Sequence, residues 1–132
     1  MKMSNEQVVE LTLPINPAYI SAARLTSSSI ANRLGFGIEE IEDIKTAVSE
    51  ACTFIIERLS KVSQNPFKVK FKPSKNCVSV VFETDNSEKI EPIGDQTSIL
   101  MIKALMDELV VDKKNGQFIM TITKKHNKVF FD

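Results

Sequence analysis

Net charge is the first thing this sequence lacks. Its 17 lysines and arginines are balanced by 17 aspartates and glutamates. A chain with no cationic surplus has little with which to neutralise phosphates, so direct nucleic-acid binding is not expected. No apolar run approaches the ~20 residues that a spanning helix needs. Residues 1–10, MKMSNEQVVE, lack the basic-then-apolar order of a secretory signal, and no membrane partner is expected. The two cysteines, Cys52 and Cys77, have no metal-ligand spacing between them. They fit a reduced, cytoplasmic protein with two packing thiols and no metal site. The single histidine, His126, reads as an exposed residue of a basic tail, which argues against imidazole-based catalysis. Missing too are the phosphate loop Gly-x-x-x-x-Gly-Lys-Ser/Thr, the zinc motif His-Glu-x-x-His, Cys-x-x-Cys and the nucleophile elbow Gly-x-Ser-x-Gly.

What is present is an ordinary globular composition, 42% hydrophobic and 26% charged over 132 residues, which suits one domain spanning 1–132. Residues 8–15 alternate as a strand does, with Val9, Leu11 and Leu13 on one face. Asn16-Pro17 can start a helix that runs to Leu34 and places Ile20, Ala23, Ser27, Ile30 and Leu34 on one side. From Ile38 to about Val62, the apolar residues Ile41, Ile44, Val48, Cys52, Ile55 and Leu59 recur at steps of three and four, marking a long amphipathic helix. Its acidic first turn, Glu39 and Glu40, suits the positive end of the helix dipole, and the run Glu39, Glu40, Glu42, Asp43 reads as a solvated face.

Past Pro66 the period falls to two. Phe67, Val69 and Phe71 face one way while Lys68, Lys70 and Lys72 face the other, the lysines reading as a solvated row that discourages edge pairing. Residues 77–84 form the partner strand, 85–97 are polar and irregular, and 98–109 return to a helical pattern through Ile99, Ile102, Leu105, Met106 and Leu109. Asn115-Gly116 between two apolar runs predicts a hairpin, since both residues accept positive φ. The order is β-α-α-β-β-α-β-β. Strands with one apolar face need cover on that face only, and three helices with one apolar stripe each can supply it. The expected class is α+β, a two-layer sandwich with three helices on one face of a mostly antiparallel sheet.

One stripe of the long helix carries unusual chemistry. In Ser-Glu-Ala-Cys-Thr-Phe-Ile-Ile-Glu-Arg, residues 49–58, the four-residue spacing stacks Glu50, Phe54 and Arg58 on one face. Residues 24–53, RLTSSSIANRLGFGIEEIEDIKTAVSEACT, together with IKALMDELVV at 102–111, resemble the anti-sigma-factor serine-protein kinases of the GHKL (histidine-kinase-like) ATPase superfamily. The resemblance covers about residues 8–124 and implies that family's helix-over-sheet fold.

The resemblance also implies an ATP site, and this sequence departs from it. The family's helix motif is Glu-Ala-Cys/Val-Thr-Asn, with a glutamate resembling a general base and an asparagine that holds Mg²⁺. Glu50, Ala51, Cys52 and Thr53 match, but Phe54 stands in place of the asparagine, and Arg58 where the family tends to have a histidine. Mg²⁺ takes oxygen ligands and a phenyl ring offers none. Asp85 matches the adenine-binding aspartate of an Asp-x-Gly-x-Gly loop, yet the stretch Asp85-Asn86-Ser87-Glu88-Lys89 has neither glycine. The glycine-rich lid is replaced by Asp95-Gln96-Thr97-Ser98-Ile99, with Gly94 as the nearby glycine. Side chains there block close backbone approach to phosphates.

The implied reading is an anti-sigma-factor-like regulator with a degenerate nucleotide site, Glu50 a remnant general base, and no cofactor, Mg-ATP being the cofactor if the family activity is retained. Phe54 is expected to pack against residues 94–102, in the space where ATP would lie. Arg24, in the context Ala-Ala-Arg-Leu-Thr, matches the first-helix arginine through which the family contacts a sigma factor and an antagonist protein. Two rivals stand beside this reading. One is an active ATP-dependent serine-protein kinase acting on an antagonist. The other is a fold-only interaction module that forms a homodimer.

Overall fold

A computed structural model describes residues 7–85, 88, 90 and 96–126. Strand β1 (Val9–Leu13) leads through one 3-10 turn (Pro17–Tyr19) into helix α1 (Ile20–Arg33), then α2 (Ile38–Leu59). The hairpin of β2 (Phe67–Pro73) and β3 (Cys77–Thr84) follows, then α3 (Thr97–Leu105) and the hairpin of β4 (Glu108–Lys114) and β5 (Gln117–Lys125). The strands form one sheet in the order β1-β2-β3-β5-β4, every neighbouring pair antiparallel, so β1 and β4 are its edges. This is the α+β sandwich and the element order expected from periodicity.

Local chemistry explains the boundaries. The Asn16 side chain accepts from the Ala18 N–H at 2.9 Å and Pro17 follows at the first helical position, where its missing N–H costs nothing. Gly35, at φ +85°, ends α1: its N–H donates to Asn32 and the Phe36 N–H to Ala31, closing a Schellman motif. Glu40 reaches back to the Gly37 N–H at 2.8 Å and satisfies a donor at the start of α2. The β4–β5 turn places Asn115 at φ 52° and Gly116 at φ 81°, the positive-φ pair that matches strand twist in a tight hairpin.

The core lies between the layers. Ile44, Val48, Cys52, Ile55 and Leu59 of α2 are fully buried against Phe67, Val69 and Phe71 of β2, Val80 and Phe82 of β3, and Phe118, Met120 and Ile122 of β5. Burial pushes the Cys52 thiol up from 9.0 to about 12, because a thiolate there would lose its hydration. On the opposite face of the sheet, Lys70 pairs with Glu83 at 3.1 Å and the Ser79 and Thr123 hydroxyls meet at 2.9 Å.

Four expectations need correction. Helix α3 ends at Leu105 instead of running to 109: the Asp107 N–H donates to Thr123 O, and Leu109 lies in β4 opposite Ile122. The backbone bonds of a strand replace those of a last helical turn. The lysine row does not guard an edge, because β2 is paired on both sides; Lys68 and Lys70 instead make cross-strand pairs with Glu10 and Glu83. His126 is no free tail residue: its ring stacks on Phe36 with centroids 4.8 Å apart, and its N–H donates to Asn76 O at 2.7 Å. Nor is the acidic run merely solvated. Asp43 accepts from the buried Lys124 at 3.3 Å, and that ammonium also donates to Leu105 O at 2.7 Å, tying α2, β5 and the end of α3 together.

Candidate functional site

The stripe of α2 faces α3 and the β3–β5 part of the sheet. Four-residue spacing stacks Glu50, Phe54 and Arg58 as expected, but each meets a different neighbour. The Ser98 hydroxyl, in the first turn of α3, donates to Glu50 Oε1 at 2.9 Å. Phe54 is 1% exposed. Its ring stacks with Phe118 of β5, centroids 6.3 Å apart and planes 28° from parallel. The Arg58 guanidinium lies over the Phe54 ring, 3.7 Å from its centroid, and donates to Phe54 O at 3.3 Å. This is a cation–π contact laid over a closed aromatic pair. Burial lowers the Arg58 guanidinium from its ordinary value and neighbouring Glu57 opposes the shift.

Helix spacing also allows Glu50 to pair with Arg58 or with a nearby lysine. Neither is observed among the described residues. Glu50 bonds a hydroxyl 48 residues away, and no local pattern could have revealed it.

Asp85 follows the last residue of β3. Thr84 lies opposite Phe118 in the sheet register, so Asp85 sits at the same end of the sheet as the Phe54–Phe118 stack. It is exposed and accepts from Gln117 Nε2 at 3.2 Å. Beside it, the Thr84 side chain is buried and its Oγ1 has no partner among the described residues. Sequence reasoning did not single out Thr84, because a threonine at the end of a strand carries no local signal. Asn86, Ser87, Lys89, Gly94 and Asp95, on which the loop and lid readings rest, lie outside the described residues. The ring partner of Phe54 is Phe118 on the sheet, a contact that the expectation of packing on 94–102 did not include.

Arg24 is elsewhere. It lies half-buried on α1, and its guanidinium makes no ion pair among the described residues. The structure therefore brings Glu50, Phe54, Arg58, Ser98 and Asp85 toward one end of the sandwich and leaves Arg24 apart. Among the described residues, no three His, Cys, Asp or Glu side chains gather as a metal site, and no helix is long and apolar enough to cross a membrane.

Comparison with known proteins gives the fold and chemistry a context. No protein-family model matches the chain. The serine-protein kinase RsbW of Oceanobacillus iheyensis is 30% identical over 137 aligned residues, covering 89% of this chain and 87% of that protein. The serine-protein kinase RsbW of Bacillus subtilis is 30% identical as well, covering 86% of this chain and 82% of its own length. Among solved structures, the RsbU and RsbW domains of Rv1364c from Mycobacterium tuberculosis superpose with a TM-score of 0.71 at 17% identity, covering 90% of this chain and 32% of that one. The SiaB–SiaC complex from Pseudomonas aeruginosa gives 0.60 at 10% identity, covering 88% of each chain. At those identities the structural likeness speaks for the fold alone.

Proposed function

The chain belongs to the family of the serine-protein kinase RsbW, and from that premise we propose that it is an anti-sigma-factor-like regulator that works by binding protein partners, with its ATP site degenerate. The observation that carries the reading is Phe54. A Mg²⁺ ion demands a near-octahedral set of oxygens, and the position that would supply one holds a phenyl ring in contact with both Phe118 and Arg58. Making room for a triphosphate would mean withdrawing that ring from the core. Glu50, the remnant general base, has its carboxylate engaged by Ser98. A carboxylate without a metal to neutralise and align the phosphates contributes little to phosphoryl transfer. The residues present fit Mg-ATP poorly, and no phosphoryl-transfer step is assigned to them.

Partner binding then falls to α1. Arg24 offers a planar donor fork, suited to carboxylates on a sigma factor or an antagonist protein, and no acidic neighbour among the described residues occupies it.

A second reading has one observation in its favour. Asp85 is accessible, and the buried Thr84 Oγ1 beside it lacks a partner among the described residues. Two polar groups at that place suit a purine edge, as an ATP-binding serine-protein kinase would need.

Ligand that binds only the folded state raises stability by RT ln(1 + [L]/Kd). Millimolar Mg-ATP is therefore expected to leave the melting temperature unchanged, and Mg²⁺ to add nothing to any nucleotide effect. A Mg²⁺-dependent rise, or transfer of labelled phosphate to an antagonist serine, overturns the degenerate site. For the binding half, Arg24→Ala is expected to melt within about 0.5 kcal/mol of wild type yet to lose its sigma factor or antagonist in a pull-down, at a cost of about 2 kcal/mol. Equal retention removes Arg24 from the interface.

A further inference from the structure

Helix α3 has little of its own to hold it in place. Its nine residues span about 14 Å, below the length at which an isolated helix persists in water. Gln96 gives the first turn no side-chain cap, and no acidic residue there suits the helix dipole. Ile99 and Ile102 are fully buried, while Leu100, Met101, Lys103 and Ala104 face water.

Two polar clamps fix its seat on α2, one near each end. At the first, the Ser98 hydroxyl donates to Glu50 Oε1 at 2.9 Å. At the second, the Lys124 ammonium donates to Leu105 O at 2.7 Å and to Asp43 Oδ2 at 3.3 Å. The spacing matches on both helices. Asp43 and Glu50 are seven positions apart on α2, and so are Ser98 and Leu105 on α3. Seven residues make two turns, about 10.5 Å along the axis, and return to the same face. Ser98 meets the later carboxylate and Leu105 is bridged to the earlier one, so α3 lies antiparallel to α2 with its clamps in register.

The two clamps differ in what their loss leaves behind. Glu50 is half-buried, so water can take the place of Ser98. Lys124 is 9% exposed, and a buried ammonium deprived of an acceptor keeps the cost of its desolvation. The Lys124 clamp therefore dominates the seat.

We propose that Lys124 is a positioning residue which, through α3, holds Ser98 on Glu50. Helix α3 is a bar clamped at both ends, and opening the Lys124–Asp43 end releases the Glu50 carboxylate two turns away. Asp43 is the reachable member of that clamp, its side chain 37% exposed, so the bar opens from there. The device sets the state of Glu50 whether or not nucleotide binds, and it goes beyond the regulator reading without standing on it.

The experiment is a double-mutant cycle on the full chain, read by amide hydrogen exchange in α3. Sites that far apart with no shared atom normally act independently. Alone, Ser98→Ala is expected to lower the protection of α3 about tenfold, and Lys124→Met to lower it further. Added to Lys124→Met, Ser98→Ala is expected to cost less than about another twofold, because the bar is already open. Lys124→Arg keeps the charge and should hold protection within about threefold of wild type. The Glu50 carboxyl ¹³C signal, which a merely local loss at Lys124 would leave in place, is expected to move in Lys124→Met toward its position in Ser98→Ala. Asp43→Asn opens the same clamp without emptying the core, and should reproduce both effects in smaller measure. A full tenfold effect of Ser98→Ala on top of Lys124→Met would overturn the proposal. So would an unmoved Glu50 signal, a Lys124→Arg variant no better than Lys124→Met, or protection lost equally in β2 and β3, the mark of general destabilisation.

Discussion

Phe54 on α2 and Leu25 on α1 are large apolar side chains on helices that cover the same face of one sheet, yet the first is 1% exposed and the second 63%. Around Phe54 every neighbour closes inward: Phe118 stacks below, Arg58 lies across the ring, and Ser98 holds Glu50. Around Leu25 the surface stays open, beside a β1 edge with no further strand among the described residues and an Arg33 that makes no ion pair among them. Apolar surface hidden at one end and displayed at the other suits the proposed regulator, with its stability in the region read as a degenerate nucleotide site and its recognition on the first helix. Burial stabilises only where water is removed, so an exposed leucine in a cleft adds little to the isolated fold. It becomes useful when something covers it.

The comparison can be broken most severely at Phe54. Phe54→Asn installs the residue that the family resemblance implies but removes a buried ring and inserts an amide. Its expected cost is about 3–5 kcal/mol, the range for deleting a buried aromatic, read by urea unfolding. A variant as stable as wild type that also binds ATP in a Mg²⁺-dependent way would show that the closed end opens easily.

Alkaline pH offers a second test of closure, through Cys52. Its folded pKa of about 12 lies above the ordinary 9.0. Between those values the folded state binds more protons than the unfolded one, so this contribution is intact below pH 9 and is lost as pH rises toward 12. Stability should fall across that window, and less steeply in Cys52→Ala after allowance for its lower starting value. At pH 8 a thiol reagent is expected to modify the half-buried Cys77 first and Cys52 only on unfolding. Rapid labelling of Cys52 in the folded protein would mean that the α2 face opens on its own.

Ser98→Ala probes the latch between α2 and α3. Removing one hydrogen bond to a carboxylate is expected to cost about 1–2 kcal/mol, seen as a lower urea midpoint and faster amide exchange in α3. An unchanged midpoint would mean that apolar packing alone seats α3.

The smallest effect belongs to the open end. Leu25→Ala should move stability by no more than about 0.5 kcal/mol, as exposed substitutions do. A loss near that of a core leucine would show that the cleft is already filled.

Much of this molecule could be read from local pattern. The α2 stripe, the alternating β2, the Asn115-Gly116 turn and the order of elements all follow from spacing. The most misplaced boundary, the end of α3, fell where Leu105, Met106 and Leu109 satisfy a helix and a strand equally well. Of the candidate site, Glu50, Phe54 and Arg58 were legible as a stripe because they share one helix. Their actual partners were not, since Ser98 and Phe118 come from elements far along the chain.

By itself, then, the amino-acid sequence determined whatever depends on neighbours within one or two turns: which segments coil, which extend and which face of each is apolar. Backbone geometry sets those periods, and burial selects the face. Only the tertiary structure decided that Glu50 meets Ser98, that Lys124 bridges Asp43 to the end of α3, that His126 stacks on Phe36, and that α1 and β1 leave a cleft between them. Those contacts join residues tens of positions apart, and their geometry exists only once the two layers have packed.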